Sequence, residues 1–351
     1  MASKFNKGDV SEGILAAAIT ARFISKTKNI EYSDVINVIK KLKKAKASGK
    51  ILTSTTKFES TNSEPRVVDE VICKVSLAKI NMTAFLNTKT YMEKEVQDIV
   101  RSSIAFANGK YIKEFADKLY KNNQLNIIEV LSEGLLDQTG TKVDLKIDVD
   151  GVQVGVGISL KYGTTKQFSQ VVGSKWESME TLFNALNVRF TQSTKNEYIK
   201  LLSEKKLAPA LSLVYNESAK QLNRKPKKSL LASLAKFMKY HATRNEENVV
   251  LVQLNRTVVE SYNFDNLERQ LYGHSVVVEV IYGVTEKLTG YVGGNKIPKM
   301  LFKIEETGDA LLTIRLKLEG NRVNSKGKKV PLTVRNLIEK EKAIKLIMES
   351  V

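Results

Sequence analysis

A mixed α/β (α+β) fold is predicted by three features of the chain. These are a two-strand alternation at 142–161, an alanine-rich amphipathic stretch at 8–26, and a succession of further short strands and helices after the alternation. The expected architecture is a mixed β-sheet core flanked by helices, with an inserted N-terminal subdomain and a β-rich C-terminal lobe. Residues 1–26 and 91–220 are expected to form the core, 27–90 the insertion, and 221–351 a C-terminal α/β lobe whose Lys-rich loops at 225–228 and 326–329 suit it to grip nucleic acid. At 351 residues, 42% hydrophobic and 27% charged, the chain can bury a core large enough for two or more lobes.

In the first stretch, Leu15, Ala16, Ile19 and Phe23 recur at helical spacing, and Ala17, Ala18 and Ala21 add small residues that let another element pack close. Glu12 stands one turn before this stripe. Asp9-x-x-Glu12 has the form of a capping box, so Glu12 reads either as a capping residue or as an inward-pointing carboxylate. A second helix begins at Ser33, carries Lys40, Lys41, Lys43, Lys44 and Lys46, and stops at Gly49; strands flank a polar turn at 61–65. A long helix is expected over 91–122, with Asn108-Gly109 as a break, followed by a strand at 125–131.

Val143, Leu145, Ile147 and Val149 then alternate with Asp144, Lys146, Asp148 and Asp150. Asp150-Gly151 is a favoured two-residue hairpin turn, and Val152, Val154, Val156, Ile158 and Leu160 alternate beyond it. Pairing Val149 with Val152 sets Asp144 opposite Gly157 and gathers Asp144, Ser159 and Lys161 on one polar face. Gly155 and Gly157 would leave room there for something to approach.

An Asp at the head of one strand and an x-x-Lys ending the next, here 17 residues apart, resembles the active-site hairpin of the PD-(D/E)xK, or restriction-endonuclease-like, nucleases. The resemblance implies a restriction-endonuclease-like core in which Asp144 and a second carboxylate hold Mg²⁺ (or Mn²⁺) and Lys161 positions or activates the attacking water. Ser159 occupies the place where the family usually has a carboxylate, and hard cations prefer charged oxygens. Glu12 is the first candidate to supply the missing one, with Glu129 and Glu133 as rivals. Nucleases of this type often pair to cut both strands, so a homodimer is part of what the resemblance implies.

After Lys161, a turn at 162–165 is expected to start a helix bearing Lys166, Gln167, Gln170, Lys175 and Trp176. With Lys142, this would cradle phosphate at a helix start. Trp176, the sole tryptophan, reads as core or as a base-stacking platform. A last core strand is expected at 211–215, and a basic loop with Lys225, Lys227 and Lys228 precedes a helix through Leu230–Met238. Strands follow at 249–254, 276–282, 300–305 and 311–318, then a basic turn at 326–329 and a closing helix at 334–348.

Lys and Arg number 56 against 38 Asp and Glu, a net charge of +18, which points to a polyanion and to DNA first. No apolar run reaches the roughly 18–20 residues that cross a bilayer, so no membrane partner is expected. One cysteine, Cys73, excludes an intramolecular disulfide and a cysteine zinc site, and two histidines leave histidine catalysis few candidates. No signal peptide is read. The expected setting is cytoplasmic, and abundant Lys, Asn and Ile fit a low-GC bacterium or a phage-infected host cell. The functional reading is a metal-dependent deoxyribonuclease, cutting as an endonuclease. The alternative is a non-catalytic, basic nucleic-acid-binding protein on a degenerate nuclease scaffold.

Overall fold

The computed structural model describes residues 7–25, 28–44, 47–48, 51–59, 68–76, 92–121, 127–132, 143–149, 156–255, 258–283, 291, 296–319 and 333–348. In chain order the elements are α1 (Lys7–Ile24), α2 (Tyr32–Lys44), β1 (Ala47–Ser48), β2 (Ile51–Glu59), β3 (Val68–Ser76), α3 (Lys94–Ala107), α4 (Lys110–Lys121), β4 (Ile127–Ser132), β5 (Leu145–Val149), β6 (Gly157–Tyr162) and β7 (Gln167–Val172). They continue with α5 (Trp176–Asn184), α6 (Gln192–Ser203), α7 (Leu207–Asn223), α8 (Lys227–Thr243), β8 (Val249–Asn255), β9 (Val258–Asn263), α9 (Leu267–Leu271), β10 (Val276–Tyr282), β11 (Pro298–Ile304), β12 (Ala310–Glu319), β13 (Thr333–Lys340) and α10 (Lys342–Ile347). The chain is mixed α/β, with two sheets.

It divides into two compact units. The first comprises Met1–Thr165, Glu246–Asn263 and Ser350–Val351, the second Lys166–Asn245 and Phe264–Glu349. The division thus falls at 165/166 and 245/246, not at 220/221. The first unit holds one sheet in the order β1-β2-β3-β4-β5-β6-β8-β9. Its β3/β4 and β6/β8 pairs are parallel and the others antiparallel. The strands of 27–90 therefore extend the main sheet and do not form a separate subdomain, because β3 finds its partner in β4.

Helix α1 packs against α2, α3 and strands β3, β4 and β6. Ala16, Ala17, Ala18 and Ala21 are all buried, which allows that close approach on several sides at once. The helix begins at Lys7, so Asp9 sits inside the first turn and is not the residue before it. The break expected at Asn108-Gly109 separates α3 from α4. The Asn108 side chain locks the break by accepting from Ile30 N and donating to Ile30 O, both at 2.9 Å.

The second unit carries an antiparallel sheet in the order β10-β11-β12-β13-β7, and helices α5–α8. Three expectations are corrected here. Residues 211–215 lie within α7, whose buried Leu207, Leu211, Val214, Tyr215, Ser218 and Leu222 keep helical spacing. A five-residue apolar window is too short to separate that from a strand. The parallel partner of β6 is instead β8. Gln167 and Gln170 lie in strand β7, not in a helix, since β7 pairs with β13 from far along the chain. The stretch 334–348 is first β13 and only then α10. The turns expected at 61–65, 150–151 and 326–329 lie outside the described residues.

Candidate active site

Strands β5 and β6 pair with Leu145 opposite Ile158 and Lys146 opposite Gly157. This is two residues away from the expected register. An even slip keeps every side chain on its face, so burial alone could not have chosen between the two registers. Leu145, Ile147, Ile158 and Leu160 join the buried cluster with α1 and α3. Alternation turns Lys146, Asp148, Ser159 and Lys161 to the other face.

The slip brings Lys161 nearer to Asp144. Asp144 N donates to Ile158 O at 2.8 Å, and Asp144 Oδ2 accepts from Leu160 N at 2.5 Å. Lys161 Nζ donates to Leu160 O at 3.0 Å. Both charged groups therefore meet the backbone of one residue, which keeps them within roughly 9 Å of each other. Both side chains are half-buried, whereas Ser159 is 1% exposed.

Gly157 does not leave an opening. A Cβ there would stand 2.8 Å from Val249 Cγ2 and 2.9 Å from Val143 Cγ2, so the two valines already fill that space. Gly157→Ala should cost about 1–3 kcal/mol through overpacking, seen as a lowered midpoint in denaturant unfolding. An unchanged midpoint would mean that the valines simply move aside. Gly155 lies outside the described residues.

Glu12 is half-buried. The alanine-rich helix that carries it packs on the apolar row of the sheet and not on the face that Gly157 shares with Ser159. Glu129 is level with Asp148, four residues or about 13 Å along β5 from Asp144. That separation, set against magnesium–oxygen distances of about 2.0–2.1 Å, disfavours an ion shared by Glu129 and Asp144. Glu133 lies outside the described residues; it follows Ser132 directly, and Ser132 pairs with Leu145.

Among the described residues no group of three or more His, Cys, Asp or Glu side chains converges as a metal site. Magnesium is commonly held by one or two carboxylates together with substrate phosphates and water. Asp144 fits as one such carboxylate, with the substrate expected to complete the shell.

The turn after β6 is built around Gly163, whose φ of +90° favours glycine. Its N–H donates to Leu254 O at 2.8 Å, and Gln253 Nε2 donates to Gly163 O at 2.6 Å and Thr165 O at 2.9 Å. Gln253, which sequence reasoning missed, thus fixes the chain just past Lys161. A cleft of about 630 Å³ opens beside this turn, lined in part by Lys7, Lys94, Glu95, Asp98 and Thr164. Lys7 and Glu95 pair within it at 3.0 Å.

The expected DNA-contacting residues scatter. Lys142 lies outside the described residues. Lys166 pairs with Glu341 at 2.5 Å, and Gln167 Nε2 donates to Gln170 Oε1 at 3.1 Å. Lys225 Nζ donates to Leu186 O at 2.8 Å and Asn187 O at 3.0 Å, and burial holds its pKa below the usual lysine range. Lys227 donates to Ser275 Oγ at 2.7 Å. Lys228 is exposed. Neutralising Lys228 should therefore lower the salt slope of duplex binding by about 0.9, while Lys225→Met should leave it unchanged and lower stability. A Lys225→Met slope that fell equally would show that its bonds to the backbone give way to phosphate.

No protein-family model, curated protein or solved structure matches this chain.

Proposed function

We propose that the chain is a metal-dependent deoxyribonuclease with a PD-(D/E)xK-type site, hydrolysing phosphodiester bonds within DNA. The observation that carries this reading is the meeting of Asp144 and Lys161 on the backbone of Leu160. The order β4-β5-β6-β8, an antiparallel meander followed by a crossover to a parallel strand, supports a restriction-endonuclease-like core. The net charge of +18 supports a polyanionic substrate.

Asp144 holds Mg²⁺ or Mn²⁺, and Lys161 orients the attacking water and offsets charge on the phosphate. A divalent cation at such a site supplies Lewis-acid stabilisation of the phosphoryl oxygens and a more acidic water. The water oxygen forms a new bond to phosphorus, the ester bond to one sugar oxygen breaks, and that oxygen leaves with a proton. Comparing Glu12→Gln with Glu133→Gln assigns the second charged oxygen, since only the true ligand weakens metal binding when changed. A homodimer that cuts both strands and a cytoplasmic setting belong to the same proposal.

Incubation of the protein with supercoiled and linear DNA in Mg²⁺, Mn²⁺ or EDTA tests this. Nicked or shortened products with either cation and none with EDTA are expected. Burial of Ser159 at the position usual for a carboxylate favours a second reading, a non-catalytic DNA-binding protein. Intact DNA under every condition, with salt-sensitive binding, would select it.

A further inference from the structure

The basic excess is concentrated in one part of the chain. Residues 166–245 carry 15 Lys and Arg against five Asp and Glu, more than half of the net charge, and they contain helices α5–α8. Residues 221–351 were the expected gripping lobe; of these, 264–349 are nearly balanced, with 15 against 11. Charge of this density steers a polyanion to the helices.

Within that segment a groove of about 430 Å³ lies between the end of α5 and α8. Such a volume suits a single small-ligand group and cannot admit a duplex. Its lining mixes the polar residues Thr181, Asn184, Asn187, Asn245 and Lys236 with Ala185 and Tyr240; Asn187 Nδ2 donates to Ser233 Oγ at 3.3 Å and Thr181 Oγ1 to Glu177 O at 2.7 Å. A primary amide presents a carbonyl acceptor beside two N–H donors, the pattern that pairs with the donor–acceptor edges of nucleobases. The side chains of Asn184, Asn245 and Lys236 make no hydrogen bond or ion pair with other described residues.

Tyr240 supplies the groove's ring, and Arg244, next in the chain to the lining residue Asn245, packs on it. The Arg244 guanidinium lies over the Tyr240 ring, with Cζ 5.1 Å from its centroid, and Nη1 donates to Tyr240 Oη at 2.7 Å. Flat guanidinium and phenol groups held together offer planar surface of the kind on which bases stack. Lys236 stands one turn before Tyr240 on α8, within reach of a phosphate attached to a base lodged there.

The backbone holds this lining in place at some conformational expense. Asn187, Arg244 and Asn245 all adopt left-handed φ, at 54°, 58° and 63°, a region that residues other than glycine seldom enter. Asn187 N donates to Asn184 O at 2.8 Å, and the Lys225 ammonium caps the neighbouring carbonyls of Leu186 and Asn187. Lys225, expected from sequence to touch phosphate, instead braces the loop that presents Asn187.

We propose that this groove binds an unpaired nucleotide of a DNA strand, its base held by the Asn184 and Asn245 amides beside Tyr240 and its phosphate by Lys236. The proposal rests on the reading of DNA as the partner, but not on hydrolysis. It makes the second unit a reader of single-stranded or extrahelical nucleotides.

Fluorescence anisotropy in EDTA tests this with the full chain, using a labelled single-stranded oligonucleotide and its blunt duplex. The variants are Lys236→Ala combined with Asn184→Ala, and Asn245→Gly, which removes an amide yet suits the left-handed backbone. Lys113→Ala, an exposed lysine of α4 outside residues 166–245, serves as control, and melting curves confirm folding. The double variant should weaken single-strand binding roughly tenfold and lower the salt slope by about 0.7, with a much smaller loss on duplex. Asn245→Gly should weaken the single strand alone, and Lys113→Ala neither. Wild-type-like single-strand affinity in both groove variants, or equal losses on the two DNAs, would overturn this site and leave the nuclease reading standing. Failure of the wild type to bind either DNA would overturn both.

Discussion

An Asp144→Asn protein should lose metal-dependent DNA cleavage by about 10³-fold while binding DNA as well as the wild type or better. Several kcal/mol of transition-state stabilisation come from a catalytic cation, and each 1.36 kcal/mol is a factor of ten in rate. Asparagine keeps a carbonyl oxygen to accept from Leu160 N, the contact that Asp144 makes at 2.5 Å, so the strand end stays folded. Removing the negative charge also removes its repulsion of phosphate. The nicking rate of supercoiled DNA and a gel-shift titration read the two effects. Retained cleavage would dissociate catalysis from this strand end, and weakened binding would show that Asp144 acts mainly on structure.

Trp176→Ala should destabilise the second unit by about 3–5 kcal/mol. The indole is 4% exposed and packs edge-on against Phe190 and Tyr198, at 5.3 and 5.6 Å between ring centroids. Phe183 links Phe190 to Tyr215 at 5.7 and 5.6 Å, so one deletion loosens a continuous aromatic cluster. Burial raises the pKa of Tyr198 and Tyr215 well above the usual phenol range, as a dry cluster requires. Denaturant unfolding gives the energy. A loss below about 1 kcal/mol together with weakened DNA affinity would instead make Trp176 a stacking platform.

Where a pattern was local, it could be read from the chain. The alternation in 143–161 gave the faces of β5 and β6, the alanines of α1 gave its close packing, and Asn108-Gly109 gave a helix break. The proximity of Asp144 and Lys161 was legible for the same reason. Register was not, because face alternation fixes it only to multiples of two residues. The role of Gly157 depends on Val249, more than ninety residues away, and the engagement of Lys225 and Lys227 depends on Leu186, Asn187 and Ser275. Strand β7 was hidden because its partner β13 lies more than 160 residues on, and a Thr-Thr pair followed by polar residues suggested a helix start. The groove of α5 and α8 gave no sequence signal beyond Lys236, since Asn184 at the end of α5 meets Asn187 and Asn245 only through the turns after each helix.

Cleavage of supercoiled plasmid across a Mg²⁺ titration, with the wild-type and Asp144→Asn proteins in parallel, tests the central claim most directly. Asp144 and Lys161 as a hydrolytic pair require that wild-type cleavage rise with Mg²⁺ to a plateau, vanish in EDTA, and stay near background in the variant at every concentration. Plasmid left supercoiled by the wild type throughout, or cut equally by both proteins, would contradict it.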